Sequence, residues 1–185
     1  LSRTRWLFAV GPHFFTEVSK FRAARILWAN LLRAYGLDVT QIPARLHART
    51  GLYHKTVYDP HNNLLRSSME AFSAIVGGIE SLHVGPFDEV AREPDSFSRR
   101  LARNTQVILR EECNLDKIID PAGGSYYVES LTQELAAKAW EKFQCIEKAG
   151  GFLKAIQSGE LQKMVAATAA ERQKRLSQRR DVLVG

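Results

Sequence analysis

Two short stretches place titratable side chains at the spacing of a β-strand. In the first, Arg45, His47 and Arg49 alternate with Ala44, Leu46 and Ala48, and a period of two puts the three polar groups on one face. In the second, Ser81, His83 and Gly85 alternate with Glu80, Leu82 and Val84, and Glu89 follows after a short loop. Ordinary parallel strands are apolar on both faces, so a polar side needs water or a ligand against it. The chemistry such a set suits is recognition. His47 and His83 either hydrogen-bond a substrate or cofactor, or are satisfied by a neighbouring serine or carbonyl. Arg45 and Arg49 either meet phosphates or carboxylates, or pair with an acid of the next loop.

The elements that must position these residues follow from the flanking sequence. Asp59 suits an N-cap, Pro60 the first helical position, and Gly77-Gly78 a stop. Leu64, Leu65, Met69, Phe72, Ile75 and Val76 recur at helical spacing, which predicts an apolar stripe lying on the sheet. Strand, helix and strand then follow in order, with a right-handed parallel crossover. Upstream, residues 6–10 read as a short buried strand and 14–35 as an amphipathic helix ended by Gly36, with 17–25 on its solvent side. The polar strands are expected over 42–49 and 80–85, the middle helix over 59–76, and a third helix over 97–113 capped by Asp95 or Ser96.

After Cys113 the pattern becomes loop-like, with Asp120-Pro121 and Gly123-Gly124 as turn signals and Tyr126 and Tyr127 packing beneath the loop. Three helical segments are expected from Leu131 onward, broken at Gly150-Gly151 and Ser158-Gly159, with Leu135, Ala139, Phe143 and Ile146 as a packing stripe on the first. The closing DVLVG reads as a strand. The fold class is therefore α/β. Three βα units do not close a barrel, which normally takes eight, so the units form either an open sheet or a piece of a larger barrel.

Composition narrows the function classes. With 45% hydrophobic and 25% charged residues in 185, the chain is an ordinary globular one. No apolar run approaches the roughly 18 residues of a membrane helix, and LSRTRWLFAV lacks the features of a signal peptide, so a cytoplasmic address is expected. Two cysteines, Cys113 and Cys145, are too few for a disulfide framework or a four-ligand metal site. Most of the net charge of +6 falls in residues 163–180, where Lys163, Arg172, Lys174, Arg175, Arg179 and Arg180 face the single acid Glu171. No aromatic interrupts that run to stack on bases, so it reads as a solvated helix face and no nucleic-acid partner is expected.

Several phrases in order, FFTEVSKFRAARILWA (14–29), YDPHNNLLR (58–66), EAFSAIVGGIESLHVGPFDE (70–89), ARNTQVILREE (102–112) and DPAGGSYYVESLTQELAAKAW (120–140), closely resemble the barrel domain of the adenosylcobalamin-dependent acyl-CoA mutases, the methylmalonyl-CoA mutase family. The AAERQKR stretch (169–175) adds to the match. The resemblance implies the C-terminal part of a (β/α)8 TIM barrel, about three βα units over 1–125, and a helical extension over 126–185 that leads toward a cobalamin-binding domain. It implies an isomerase whose full enzyme binds adenosylcobalamin and an acyl-CoA, works with a second mutase subunit as a heterodimer or homodimer, and carries out a carbon-skeleton 1,2 rearrangement. Under it Glu89, His47, His83 and Arg49 face the cofactor, Arg45 and Ser81 line the substrate channel, and no residue of this stretch is catalytic or binds metal.

The sequence departs from the family where that site should be. Catalytic chains resemble QTSGW after the first polar strand, whereas this chain reads Arg49-Thr50-Gly51-Leu52-Tyr53. HTNSFDE becomes His83-Val84-Gly85-Pro86-Phe87-Asp88-Glu89, which keeps the acid that sits near the deoxyadenosyl ribose and loses the asparagine that shares its task. Asp59-Pro60-His61 lacks the glycine of the family's cobalt-ligand motif, having Leu64 there, and is read as a cap. These changes resemble the small, non-catalytic subunit. A catalytic chain of altered acyl specificity, a purely structural dimerisation barrel and a basic nucleic-acid-binding module are the alternatives.

Overall fold

The computed structural model describes residues 4–184. The elements run β1 (Trp6–Val10), α1 (Phe14–Ala34), β2 (Leu46–Thr50), α2 (Asn62–Val76), β3 (Ser81–His83), α3 (Ser96–Glu111), α4 (Tyr126–Lys148), α5 (Phe152–Gln157) and α6 (Glu160–Ser177). All three strands are parallel in the order β1-β2-β3, so the expected α/β class and succession of βα units are present. The chain divides into two compact units, one through Ala136 and the other Ala137–Val184.

The register gives the sheet two unlike faces. Leu7 pairs with His47 and His47 with Ser81, while Ala9 pairs with Arg49 and Arg49 with His83. These two rows share one face, because side chains two apart on a strand point the same way. The other face carries Phe8, Val10, Leu46, Ala48 and Leu82, and packs on Phe21 of α1 and Ala74 of α2 to form the core. Phe8 meets Phe21 edge to face at 5.8 Å, and Trp6 meets Trp28 at 5.4 Å. The Trp28 indole also donates to the Ile42 carbonyl at 2.9 Å, which fixes the chain entering β2. A second cluster of Ala71, Val84 and Ala102 joins α2 and α3.

Several expectations are corrected. β1 is not a buried strand: Leu7 is 68% exposed because it belongs to the uncovered face. β2 begins at Leu46 instead of residue 42, since Trp6 is the first residue of β1 opposite it and Pro43 has no N–H to give a ladder. α2 begins at Asn62 and Asp59 does not cap it. The amides of Asn62, Asn63 and Leu64 bond instead to the carbonyls of Asp59, Pro60 and His61, a tight 3₁₀-like lead-in.

The stripe that α2 buries is also different from the predicted one. Asn63, Ser67, Glu70, Ala71, Ser73 and Ala74 face inward, while Leu65 and Met69 are 70% and 54% exposed. Small residues let this helix approach the strands closely; Asn63 and Glu70 find partners in the loops above, while Ser73 donates to the Glu70 carbonyl of its own helix. Similarly, α1 buries Glu17 within the stretch expected on its solvent side, where Lys20 pairs with it and donates at 2.7 Å to the Ala9 carbonyl.

α3 is capped by Asp95, which accepts from the Ser98 amide at 2.8 Å, and ends at Glu111. α4 begins at Tyr126, five residues ahead of expectation; Tyr126 is 93% exposed and Tyr127 meets Phe15 edge to face at 5.4 Å instead of packing beneath the loop. In the second unit the α5 and α6 boundaries follow the predicted glycine breaks, and no residue of α6 is buried. Phe143 stacks on Trp140 at 5.1 Å but is 39% exposed, and Ala139 is exposed, so the expected stripe is only partly used. Residues 181–184 form no strand; Gly185, the end of the expected one, lies outside the described residues. Asp181 accepts from Arg175 at 2.6 Å instead. No helix among the described residues is long and apolar enough to cross a membrane.

One tether closes the first unit. Arg22 of α1 forks onto Asp120, Nε to Oδ1 at 2.9 Å and Nη2 to Oδ2 at 3.0 Å, and also donates to Glu129 of α4 at 2.7 Å. The Arg22 guanidinium and the Gly124 amide hold the Glu129 carboxyl below the usual glutamate range.

Two outcomes follow for stability. Phe21→Ala removes the fully buried ring that both Phe8 and Gly77 pack against, and should cost about 3–5 kcal/mol in urea unfolding. Because Glu129 ionises at lower pH folded than unfolded, its contribution is complete above about pH 4.3 and lost as pH falls through the folded value. Thermal unfolding should therefore lose more stability between about pH 6 and about pH 3 in the native chain than in R22M.

Candidate functional site

The polar groups gather where the strands end. β2 finishes at Thr50, and the chain then turns through Gly51, whose amide donates both to the Val10 carbonyl at 2.9 Å and to Glu70 Oε2 at 3.0 Å. A Cβ at Gly51 would lie 2.7 Å from the Val10 carbonyl and 2.9 Å from His54 Cε1, so only glycine fits this crossing. The other oxygen of Glu70 takes His54 Nε2. Both members are buried, Glu70 at 1% exposure, so the pair is sealed from any ligand and serves to hold the turn. An Asn63 side chain completes the scaffold, accepting from the Thr56 amide at 3.0 Å and donating to the carbonyls of Thr56 and Phe87 at 2.9 and 2.8 Å.

That turn delivers Lys55. Its side chain has 0% exposure, and its ammonium donates to the carbonyls of Gly85 and Pro86, each at 3.3 Å, and to Glu89 Oε1 at 2.5 Å. The second oxygen of Glu89 takes Arg49 Nη2 at 3.0 Å. The Gly85 amide donates to Thr50 Oγ1 at 2.8 Å, which ties the end of β3 to the end of β2. A Cβ on Gly85 would overlap Glu89 Oε1 and lie 2.9 Å from Oε2, so the carboxylate folds back into space that only a glycine leaves open.

The predicted site residues fall into three places. Arg49, Glu89 and His83 come together, with His83 held below the usual imidazole range by burial first and the Arg49 charge next, against an opposing pull from Glu89. His47 and Ser81 form their own pair at 2.7 Å on the row below. Arg45 is exposed and precedes β2, so four residues of strand, about 13 Å, separate it from Arg49. Sequence reasoning missed Lys55, His54, Glu70 and Asn63. The recurrence of Asn63, Ser67, Glu70 and Ala74 at helical spacing was a usable signal for the inward polar stripe; nothing in the run His54-Lys55-Thr56 marks Lys55 as buried.

As chemistry, the arrangement suits recognition more than bond-making. Arg49, His47, Ser81 and His83 present a guanidinium, a hydroxyl and two imidazoles on an uncovered face, while Glu89 is held by cations of the same chain. No three His, Cys, Asp or Glu side chains gather as a metal set among the described residues. A cavity of about 710 Å³ lies elsewhere, between Ile26, Ile75, Leu109 and Ile118, and touches Ser81 but neither Arg49 nor Glu89. Of the polar set it borders Ser81, and none of His47, Arg49, His83 or Glu89 lines it.

The methylmalonyl-CoA mutase family profile matches residues 1–185, the whole chain. The chain belongs to the methylmalonyl-CoA mutase family. The small subunit of Porphyromonas gingivalis methylmalonyl-CoA mutase is 43% identical over 186 residues, covering 100% of this chain and 30% of that protein. The small subunit from Streptomyces virginiae is 45% identical over 178 residues, 96% of this chain and 29% of that one. The large subunit from Porphyromonas gingivalis is 41% identical over 184 residues, 99% of this chain and 26% of that one. This mutase-family chain thus spans less than a third of the length of these relatives, and its identity to small and large subunits is nearly equal.

Glu70→Ala would leave buried His54 without its partner and the Gly51 amide with the Val10 carbonyl alone, at a cost of about 1–3 kcal/mol. Chemical denaturation should show that loss, and Glu70→Gln, which keeps an acceptor, should lose less.

Proposed function

We propose that this chain is part of the barrel of a cobalamin-dependent acyl-CoA mutase, and that it serves in the small subunit, which does not itself hold the cofactor. The βα units described above would be the last part of an eight-stranded barrel, with the face bearing Leu7, His47 and Ser81, and then Ala9, Arg49 and His83, turned toward its axis. In that place the rows would line the passage of an acyl-CoA, with Arg45 at its far end. The reaction proposed for the full enzyme is a carbon-skeleton 1,2 rearrangement, an isomerase step whose hard chemistry the cofactor carries. The partner would be a second mutase subunit.

The observation that carries the non-binding part of this reading is the state of Glu89. A carboxylate that is to accept from a ribose hydroxyl must face outward; each of its oxygens can accept twice, so what withholds Glu89 is its orientation, with the side chain only 11% exposed. Here one oxygen is taken by Lys55 from within and the other by Arg49, and Gly85 stands where a polar side chain would share the ligand. Leu52, 45% exposed on the turn after β2, adds a bulky apolar group beside the same end of the sheet. Glu89, Arg49, His47 and His83 therefore do not fit adenosylcobalamin as a set.

The near equality of its likeness to small and large subunits keeps a second reading in view, a catalytic chain of altered acyl specificity. Titration with adenosylcobalamin followed by visible absorption separates the two. The complete polypeptide containing this chain should give no saturable spectral change alone, and should give one when a catalytic mutase subunit is added. Saturable binding by the polypeptide alone overturns the small-subunit reading in favour of the catalytic one.

A further inference from the structure

Lys55 has no access to water, so its charge and its three protons must be met inside the protein. Three oxygens meet them: two carbonyls of the loop after β3, Gly85 and Pro86, and one oxygen of Glu89. The carbonyls supply dipoles, and Glu89 alone among these three supplies the counter-charge that makes a buried ammonium tolerable. Glu89 reaches it only by folding over Gly85, where a side chain would occupy the same space. Its other oxygen stays on Arg49, whose side chain is 39% exposed.

We infer that Lys55 is the positioning residue of this face: its ammonium draws the Glu89 carboxylate back across Gly85, so that Arg49, and not Glu89, is the charged group presented where the strands end. A ligand lying on the open face then meets a guanidinium where a free carboxylate would otherwise stand. The turn that brings Lys55 inward is fixed independently, by Glu70 on Gly51 and by Asn63 on Thr56, so the ammonium is delivered to a set place. The inference stands on these contacts and goes beyond the cofactor reading, since it concerns where one carboxylate points with no ligand bound.

His83 reports that position, because Arg49, Glu89, His47 and Lys55 all act on its imidazole. Its titration can be followed by NMR in the complete polypeptide, without cobalamin, for the native protein, E89Q, K55M and the double variant. With Lys55 in place, E89Q should lower the His83 titration only modestly. In the K55M background the released carboxylate lies on the open face, so the same E89Q change should produce a clearly larger downward shift. Equal E89Q shifts in the two backgrounds would overturn the inference, because Lys55 would then not govern where Glu89 lies. Should K55M not fold, G85A decides alone, since it displaces Glu89 and alters no charge. An upward move of the His83 titration in G85A supports the clasp; an unchanged one overturns it. The inference shares the Glu89 contacts with the small-subunit reading, but neither result depends on the cobalamin titration, so failure of one is distinguishable from failure of the other.

Discussion

A buried carboxylate at the back of the sheet governs the rest of this structure. Glu70 is withdrawn from water on a helix face otherwise lined by small residues, and a carboxyl group there is tolerated only if its oxygens find hydrogen-bond partners. The partners are the Gly51 amide and His54, so the first turn beyond β2 is pinned to the middle of α2. Once that turn is fixed, Lys55 points inward, and an inward lysine requires Glu89. Arg49 then follows Glu89, and Gly85 must lack a side chain. The strand ends are thus set by a succession of charge pairings that starts at the helix behind them.

The two faces of the sheet divide the labour. Phe8, Val10, Leu46, Ala48, Phe21 and Ala74 exclude water on one side and supply the apolar burial that drives folding. On the other, rows of His47 with Ser81 and Arg49 with His83 remain accessible. A sheet with one polar, uncovered face would be a liability in a free-standing domain, and it is what a ligand passage calls for. Membership of the methylmalonyl-CoA mutase family makes the proposed passage a natural use for this face, and the Lys55 clasp sets which charge that face would present.

Much of the architecture was legible because it rests on local signals. Alternation at 45–49 and 81–85, glycine stops at Gly36 and Gly77-Gly78, and the Asp95 cap all act within a few residues, and the elements they announce are present. The failures have a common cause. Leu65 and Met69 were assigned to the core because apolar residues at helical spacing usually face it, yet helix-to-strand distance selected Ala71 and Ala74. Asp59 had the right chemistry for a cap, and the tight lead-in after Pro60 satisfied the same amides by another route.

The sequence by itself determined the order of strands and helices, the polar character of one strand face and the family, because periodicity, turn residues and matching phrases are properties of neighbours along the chain. It also marked Leu52 and Gly85 as departures. Only the tertiary structure decided what those departures mean. Whether Glu89 faces a ligand or the protein depends on an ammonium 34 positions away in the chain, brought within 2.5 Å by packing. Charge pairing across such a span is a matter of distance in space, and no spacing along the chain encodes it.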